Sequence, residues 1–255
     1  MLDITYPPII LASKAAFRML GQRFQLSGTE NVPRQGGALL AINHTSYVDF
    51  IYGGLGANPS KRLVRFMIKR EMMDQPGVGH LLRSLHHIRV DRSSGVQSAK
   101  DAVAYLRSGE VVGIYPEATI SRSFEIKELK TGAVRIAAEA GVPLIPMIVW
   151  GPHRLMTKDH PRDFSRQRKT IAVKVGKPMY PTGEDPAAES EALREAMKVL
   201  LDEVIAEYPD AEKAPGSWWT PARFGGSAPT PEEAERLDKA ELRERAARRA
   251  AKKAK

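Results

Sequence analysis

The sequence predicts a single α/β domain, a mostly buried sheet flanked by helices and led by an N-terminal amphipathic helix. Three observations predict it. Short runs rich in Val, Ile and Leu alternate with polar, helix-patterned stretches from Gly36 to about Lys177, the arrangement of strands covered by helices. Hydrophobic residues make up 42% and charged residues 27% of 255 positions, enough to fill one large core and too apolar for a disordered chain. No apolar stretch reaches the ~18 residues of a membrane-spanning helix; the longest, Val142 to Gly151, holds ten with two prolines inside.

Residues 1–35 read as an amphipathic helix and a lead-in. Lys14 and Arg18 interrupt the apolar part and no small-residue cleavage site follows, so the segment is expected to be retained rather than cleaved as a signal peptide. At 100° per residue Lys14, Arg18 and Gln22 share one side, and Ile10, Ala16, Phe17, Met19, Leu20 and Phe24 most of the other. Leu11 and Arg23 break the pattern. Such a helix either lies in a membrane interface or caps the core.

Residues 36–208 read as the main domain. Strands are expected at Ala38–Ile42, Leu63–Ile68, Ile88–Val90, Val111–Tyr115, Leu144–Val149 and Ile171–Val175, and helices around Tyr47–Leu55, Gly77–Leu85, Val96–Arg107, Lys130–Ala140 and Pro186 to Ala206. Residues 209–255 read as a flexible Pro/Gly linker containing Trp218-Trp219, followed by a basic tail.

Charge and cysteine content narrow the chemistry. The net charge is +9, but residues 241–255 carry seven Lys/Arg against two Glu, so more than half of the excess sits in the tail. That bias fits work near phosphate groups or anionic lipid and, without an aromatic-rich or recognised module, does not point to nucleic acid. With no cysteine, disulfides, thiolate metal sites and a cysteine nucleophile are all excluded.

His44 follows the first strand of the domain, and Asp49 opens the next helix. Where the chain folds back at a strand-to-helix turn, a carboxylate five residues on can hold the imidazole Nδ1–H and leave Nε2 free as a base. His86 and Asp91 share the spacing, but they bracket an extended strand, which separates the two side chains by ~16 Å of chain. Two further strands end in polar turns: Tyr115-Pro-Glu117-Ala-Thr119-Ile-Ser-Arg122, and Val90-Asp-Arg92-Ser93-Ser94. Strand ends of an α/β sheet converge on one edge. Arg92 and Arg122 are therefore candidates for a phosphate clamp, with Ser93, Ser94 and Thr119 as lesser donors. Lys127 and Lys130 read as a solvated face, with a grip on the acyl carrier's phosphates as the alternative. No His-Glu-x-x-His spacing or nucleotide phosphate loop occurs, so neither a metal nor a nucleotide cofactor is expected.

These segments resemble the glycerolipid O-acyltransferases typified by 1-acylglycerol-3-phosphate (lysophosphatidic acid) acyltransferase. Asn43-His44-Thr-Ser-Tyr-Val-Asp49 is similar to the family's His-x4-Asp block. Ile88-Arg-Val-Asp-Arg92 resembles its second block, Pro116-Glu117-Ala118-Thr119-Ile120-Ser-Arg122 its third, and Val142-Pro-Leu-Ile-Pro146 its fourth, in family order. Ala118 stands where the family has glycine and Ile120 where it has arginine. The resemblance implies transfer of a fatty acyl group from acyl-CoA or acyl carrier protein, as co-substrate, to the free hydroxyl of 1-acylglycerol-3-phosphate, giving phosphatidic acid. His44 would be the base, Asp49 its orienter, and Arg92 and Arg122 the phosphate grips. Glu117 would position glycerol hydroxyls or organise its turn, and a backbone N–H at the start of the helix after His44 would be an oxyanion donor. The alternatives are another lipid acceptor (glycerol-3-phosphate, a lysophospholipid or a glycolipid) or a non-catalytic lipid-binding protein. The expected setting is cytoplasmic, peripheral on the inner face of the membrane.

Overall fold

The computed structural model describes residues 3–91 and 95–253. Helix α1 (Tyr6–Met19) opens on prolines, which preset the first-turn backbone and lack an N–H the helix would leave unbonded. It ends at Gly21, whose φ of 65° is a left-handed conformation glycine adopts without strain. The chain then enters strand β1 (Arg23–Ser27), an edge strand running parallel to β7 (Thr170–Val175). This differs from the expected amphipathic helix, whose apolar side was read on through Phe24, and brings the sheet's first strand ahead of residue 36. The reason is local: Gly21 terminates the helical repeat that a helical wheel continues through.

The remaining elements follow the expected alternation: β2 (Ala38–Ile42), α2 (Asp49–Ala57), β3 (Val64–Lys69), the short α3 (Arg70–Met73), α4 (Val78–Ser84), β4 (Ile88–Val90), α5 (Gly95–Arg107), β5 (Val111–Ile114), α6 (Gly132–Ala140), β6 (Leu144–Trp150) and α7 (Pro186–Glu207). Asp185 caps α7 by accepting from the Ala187 and Ala188 N–H groups at 3.1 and 3.0 Å, which satisfies two otherwise orphaned donors. The seven strands lie in the order β1-β7-β6-β2-β5-β3-β4. All pairings are parallel except β6 with β7.

Alternation along the strands divides the core between the two faces. Leu39, Ala41, Val112, Leu144 and Ile148 meet α5, α6 and α7, with Ala102, Val134 and Met197 in the same cluster. Ala38, Leu40, Ile42, Phe66, Met147 and Val173 meet α1 and α2, through Phe17 and Tyr52, whose rings stack 5.1 Å apart. Gly113 is required in β5, because a Cβ there would come within 2.8 Å of the Phe66 ring.

Residues 209–230, expected to be a linker, pack onto this body. Ala228 joins the core, Trp218 stacks on His160 at 3.8 Å, and Trp219 Nε1 donates to the Glu212 carbonyl at 3.2 Å. Turn bonds such as Gly216 N–H to Gly225 O at 2.8 Å hold the segment, replacing the regular ladder that its prolines and glycines forbid. The tail forms α8 (Pro231–Lys253). Among the described residues no helix is long and apolar enough to cross a membrane.

Candidate active site

Parallel register brings the site together. Ala41 lies opposite Ile114 across β2 and β5, and opposite Pro146 across β2 and β6, so the segments that follow these strands emerge at one sheet edge. Asn43 extends the β2–β6 pairing beyond the strand end: its side chain donates to Val149 O at 3.1 Å and accepts from Val149 N–H at 2.7 Å. Sequence reasoning passed over Asn43, although it directly precedes His44. The loop after β6 secures the next turn, with Ser46 Oγ donating to Met156 O at 2.6 Å and Thr157 Oγ1 to Thr45 O at 2.6 Å.

Held in this way, His44 Nδ1 lies 3.0 Å from Asp49 Oδ2, and 19% of the imidazole side chain is exposed while Asp49 is fully buried. The same Oδ2 accepts the Thr45 and Ser46 N–H groups at 2.8 and 2.7 Å. Asp49 is the first residue of α2, where the helix dipole favours negative charge. Burial nevertheless pushes its carboxyl above the usual aspartate range, against the pull of the imidazole and the two N–H groups. An Nδ1–H donated to this oxygen leaves Nε2 as the ring's proton acceptor. The Tyr115 ring stacks on the imidazole at 4.3 Å and restricts its swing.

The N–H groups of the turn that precedes α2 are engaged within the fold. Thr45 and Ser46 N–H bind Asp49, Tyr47 N–H binds Met156 O, and Val48 N–H binds Ser46 Oγ. Forming the His–Asp pair consumes the first two of these donors.

Glu117 is buried, and its two oxygens accept the His44 N–H at 2.8 Å and the Lys127 N–H at 3.2 Å. Of the two roles expected for it, this geometry is that of organising the turn. It staples the His44 loop to the 118–127 loop, and burial pushes its carboxyl up to about 8. Ser121 N–H donates to the His44 carbonyl at 2.7 Å, which sets the adjacent Arg122 beside the His44 turn.

Arg122 is 8% exposed and pairs with Asp159, Asp238 and Glu241, the last at 2.9 Å. Lys127 donates to Thr119 Oγ1 at 2.8 Å and pairs with Asp238; the expectation that it forms a solvated face is corrected. Lys158, in the loop after β6, contacts Asp238 at 3.2 Å and Glu241 at 3.0 Å. Nothing in local spacing marks Lys158, Asp238 or Glu241, because the contacts span 80 to 119 residues. Arg92, Ser93 and Ser94 lie outside the described residues. Of the second His/Asp pair, Asp91 is bound by Arg70 at 2.8 Å, with β4 between it and His86.

The Acyltransferase family model matches residues 23–150, which takes in β1 through β6. A 1-acyl-sn-glycerol-3-phosphate acyltransferase from Bacillus subtilis is 32% identical over 179 residues, covering 67% of this chain and 84% of that protein. One from Pseudomonas aeruginosa is 27% identical over 191 residues, covering 73% and 70%. The crystal structure of the 1-acyl-sn-glycerophosphate (LPA) acyltransferase from Thermotoga maritima superposes with a TM-score of 0.65 over 80% of each chain at 23% identity, a likeness of fold. With its α/β sheet, its His44–Asp49 turn and these relatives, the chain belongs to the acyltransferase family that includes the 1-acyl-sn-glycerol-3-phosphate acyltransferases.

Proposed function

We propose that this acyltransferase moves a fatty acyl group from the thioester of acyl-CoA or acyl carrier protein to the free hydroxyl of 1-acylglycerol-3-phosphate, giving phosphatidic acid. The observation that carries the reading is the reachable imidazole of His44 held 3.0 Å from the buried Asp49 carboxylate. The names of the Bacillus and Pseudomonas relatives support the acceptor.

In this mechanism His44 Nε2 takes the hydroxyl proton as the alcohol oxygen attacks the thioester carbonyl. Asp49 stabilises the imidazolium that forms. The tetrahedral adduct then collapses, its C–S bond breaks, and the imidazolium returns the proton to the leaving sulfur as a thiol. No cysteine is present, and no Gly-x-Ser-x-Gly turn offers a serine nucleophile, so direct transfer needs fewer groups than an acyl-enzyme. Arg122, with Thr119 on the same loop, supplies the positive end for the acceptor phosphate. Arg92 and Ser93 are assigned to the same end on the sequence alone. Glu117 acts through the backbone of His44. No metal or organic cofactor enters the scheme; the acyl carrier is a co-substrate.

Exposed Ile4, Leu11 and Met19 on and beside α1, with Lys14 and Arg18 on the same helix, support peripheral attachment to an anionic membrane face. The test of the reaction is thiol release from palmitoyl- and oleoyl-CoA with lysophosphatidic acid, glycerol-3-phosphate, a lysophospholipid or a glycolipid as acceptor, and His44→Ala as control. Release specific to lysophosphatidic acid and lost in His44→Ala supports the reading. Release with another acceptor alone, or with none when the same acyl groups are also offered on acyl carrier protein, overturns it.

A further inference from the structure

The three cations at the polar end of the site already hold an occupant. Arg122, Lys127 and Lys158 converge on Asp238 and Glu241, two carboxylates on successive turns of one face of α8. Arg122 is nearly buried, and Asp238 is more sheltered, at 15%, than most charged residues of its helix. Neighbouring Lys239 and Ala240 point outward. The two carboxylates bring a charge of −2, which is what a phosphomonoester carries near neutral pH, and they offer oxygen acceptors to the same guanidinium and ammonium donors. Exchanging one for the other leaves the net charge of the cluster unchanged. The cluster also borders the catalytic turn, through Ser121 N–H on the His44 carbonyl.

We propose that Arg122, Lys127 and Lys158 form a phosphomonoester site that the chain's own C-terminal helix occupies, Asp238 and Glu241 standing in for the phosphate until an acceptor displaces them. This rests on the reading of the site given above and adds to it two binding residues, Lys127 and Lys158, and an internal competitor. Displacement exchanges one set of charge-assisted bonds for another, so the acceptor's apparent affinity is lower by the fraction of molecules in which α8 is seated.

The chain has no cysteine, so a single Ala240→Cys substitution on the exposed side of α8 takes one nitroxide label in the full-length protein. Label mobility is followed while lysophosphatidic acid, or the monoacylglycerol of the same chain length, is added without any acyl donor. Lysophosphatidic acid is expected to mobilise the label and monoacylglycerol to leave it unchanged. In Asp238→Asn/Glu241→Gln the label should be mobile before any lipid is added, and lysophosphatidic acid should mobilise it no further. A label that lysophosphatidic acid leaves immobile in the unsubstituted helix, or that both lipids loosen equally, overturns the proposal, as does a double variant as immobile as the parent when circular dichroism shows it folded. The readout needs no turnover. Mobilisation without thiol release therefore retires the catalytic reading and leaves the site standing; thiol release without mobilisation does the reverse.

Discussion

Replacing Asp49 by Asn removes one charge and almost no volume. The Oδ2 atom accepts three hydrogen bonds, from the imidazole and from the Thr45 and Ser46 N–H groups, whereas Oδ1 is buried with no partner among the described residues. An amide oxygen at the Oδ2 position keeps all three bonds and puts the NH2 where no acceptor is found. The turn therefore survives and the electrostatics change. A carboxylate and an imidazolium 3.0 Å apart attract by about 5 kcal/mol at an effective dielectric near 20, an upper bound because the ring is partly exposed. Losing about 3–5 kcal/mol of that from the transition state slows kcat by roughly 10²–10⁴-fold at ~1.4 kcal/mol per decade. Because burial disfavours the charged carboxylate, the thermal midpoint should hold or rise. Steady-state thiol release gives kcat, and circular dichroism melting gives the midpoint. A kcat within about fivefold of wild type, or a parallel collapse of the midpoint, would refute the assignment of Asp49 to imidazolium stabilisation.

Other perturbations separate chemistry from architecture. His44→Ala should lower kcat by about 10²–10⁴-fold, the usual worth of a general base, with little change in melting, because among the described residues the ring makes one side-chain hydrogen bond and one stacking contact. Glu117→Gln should weaken acyl transfer by upsetting one of the two N–H contacts that staple the loops. It should also remove a pH slope. With a folded value of about 8 against 4.5 for the free carboxyl, the unfolded chain binds fewer protons between those limits, so wild-type stability from this group falls as pH rises from 4.5 to 8. Urea midpoints from pH 5 to 9 check this, and equal slopes in the two proteins would count against it. His87 and His153 behave oppositely: burial pushes both down to about 3 from 6.5, so their contribution is complete above pH 6.5 and is lost as pH falls from 6.5 towards 3. In His87→Asn/His153→Gln, which keeps an acceptor for Phe66 N–H and a donor for Trp219 O, melting should vary less between pH 7 and 4 than in wild type.

Most of the sheet was legible in the amino-acid order because each inner strand is a short apolar run with polar helical stretches on either side. The His44–Asp49 turn was legible for a related reason: a five-residue spacing at a strand-to-helix junction is local, and local geometry survives in any fold that keeps the junction. Strand β1 was not, because its exposed, mixed residues carry no burial pattern and acquire their role only from the neighbouring β7. Glu117 was recognised as part of the site, but its two candidate roles could not be separated until its oxygens were seen on the His44 and Lys127 backbone.

The C-terminal helix marks the clearest division between the two kinds of information. Composition establishes only an Ala/Arg/Lys/Glu-rich tail that could form a solvated helix or none, and the structure makes it α8. That Asp238 and Glu241 meet Arg122, more than a hundred residues earlier, depends on the path of residues 209–230 across the core and on Trp218 and Ala228 anchoring it. Long-range ion pairing has no spacing rule, since closure of the intervening chain is decided by packing. Sequence therefore determined the family, the inner strands and the His44–Asp49 turn, and tertiary structure alone decided which distant charges face one another beside that turn.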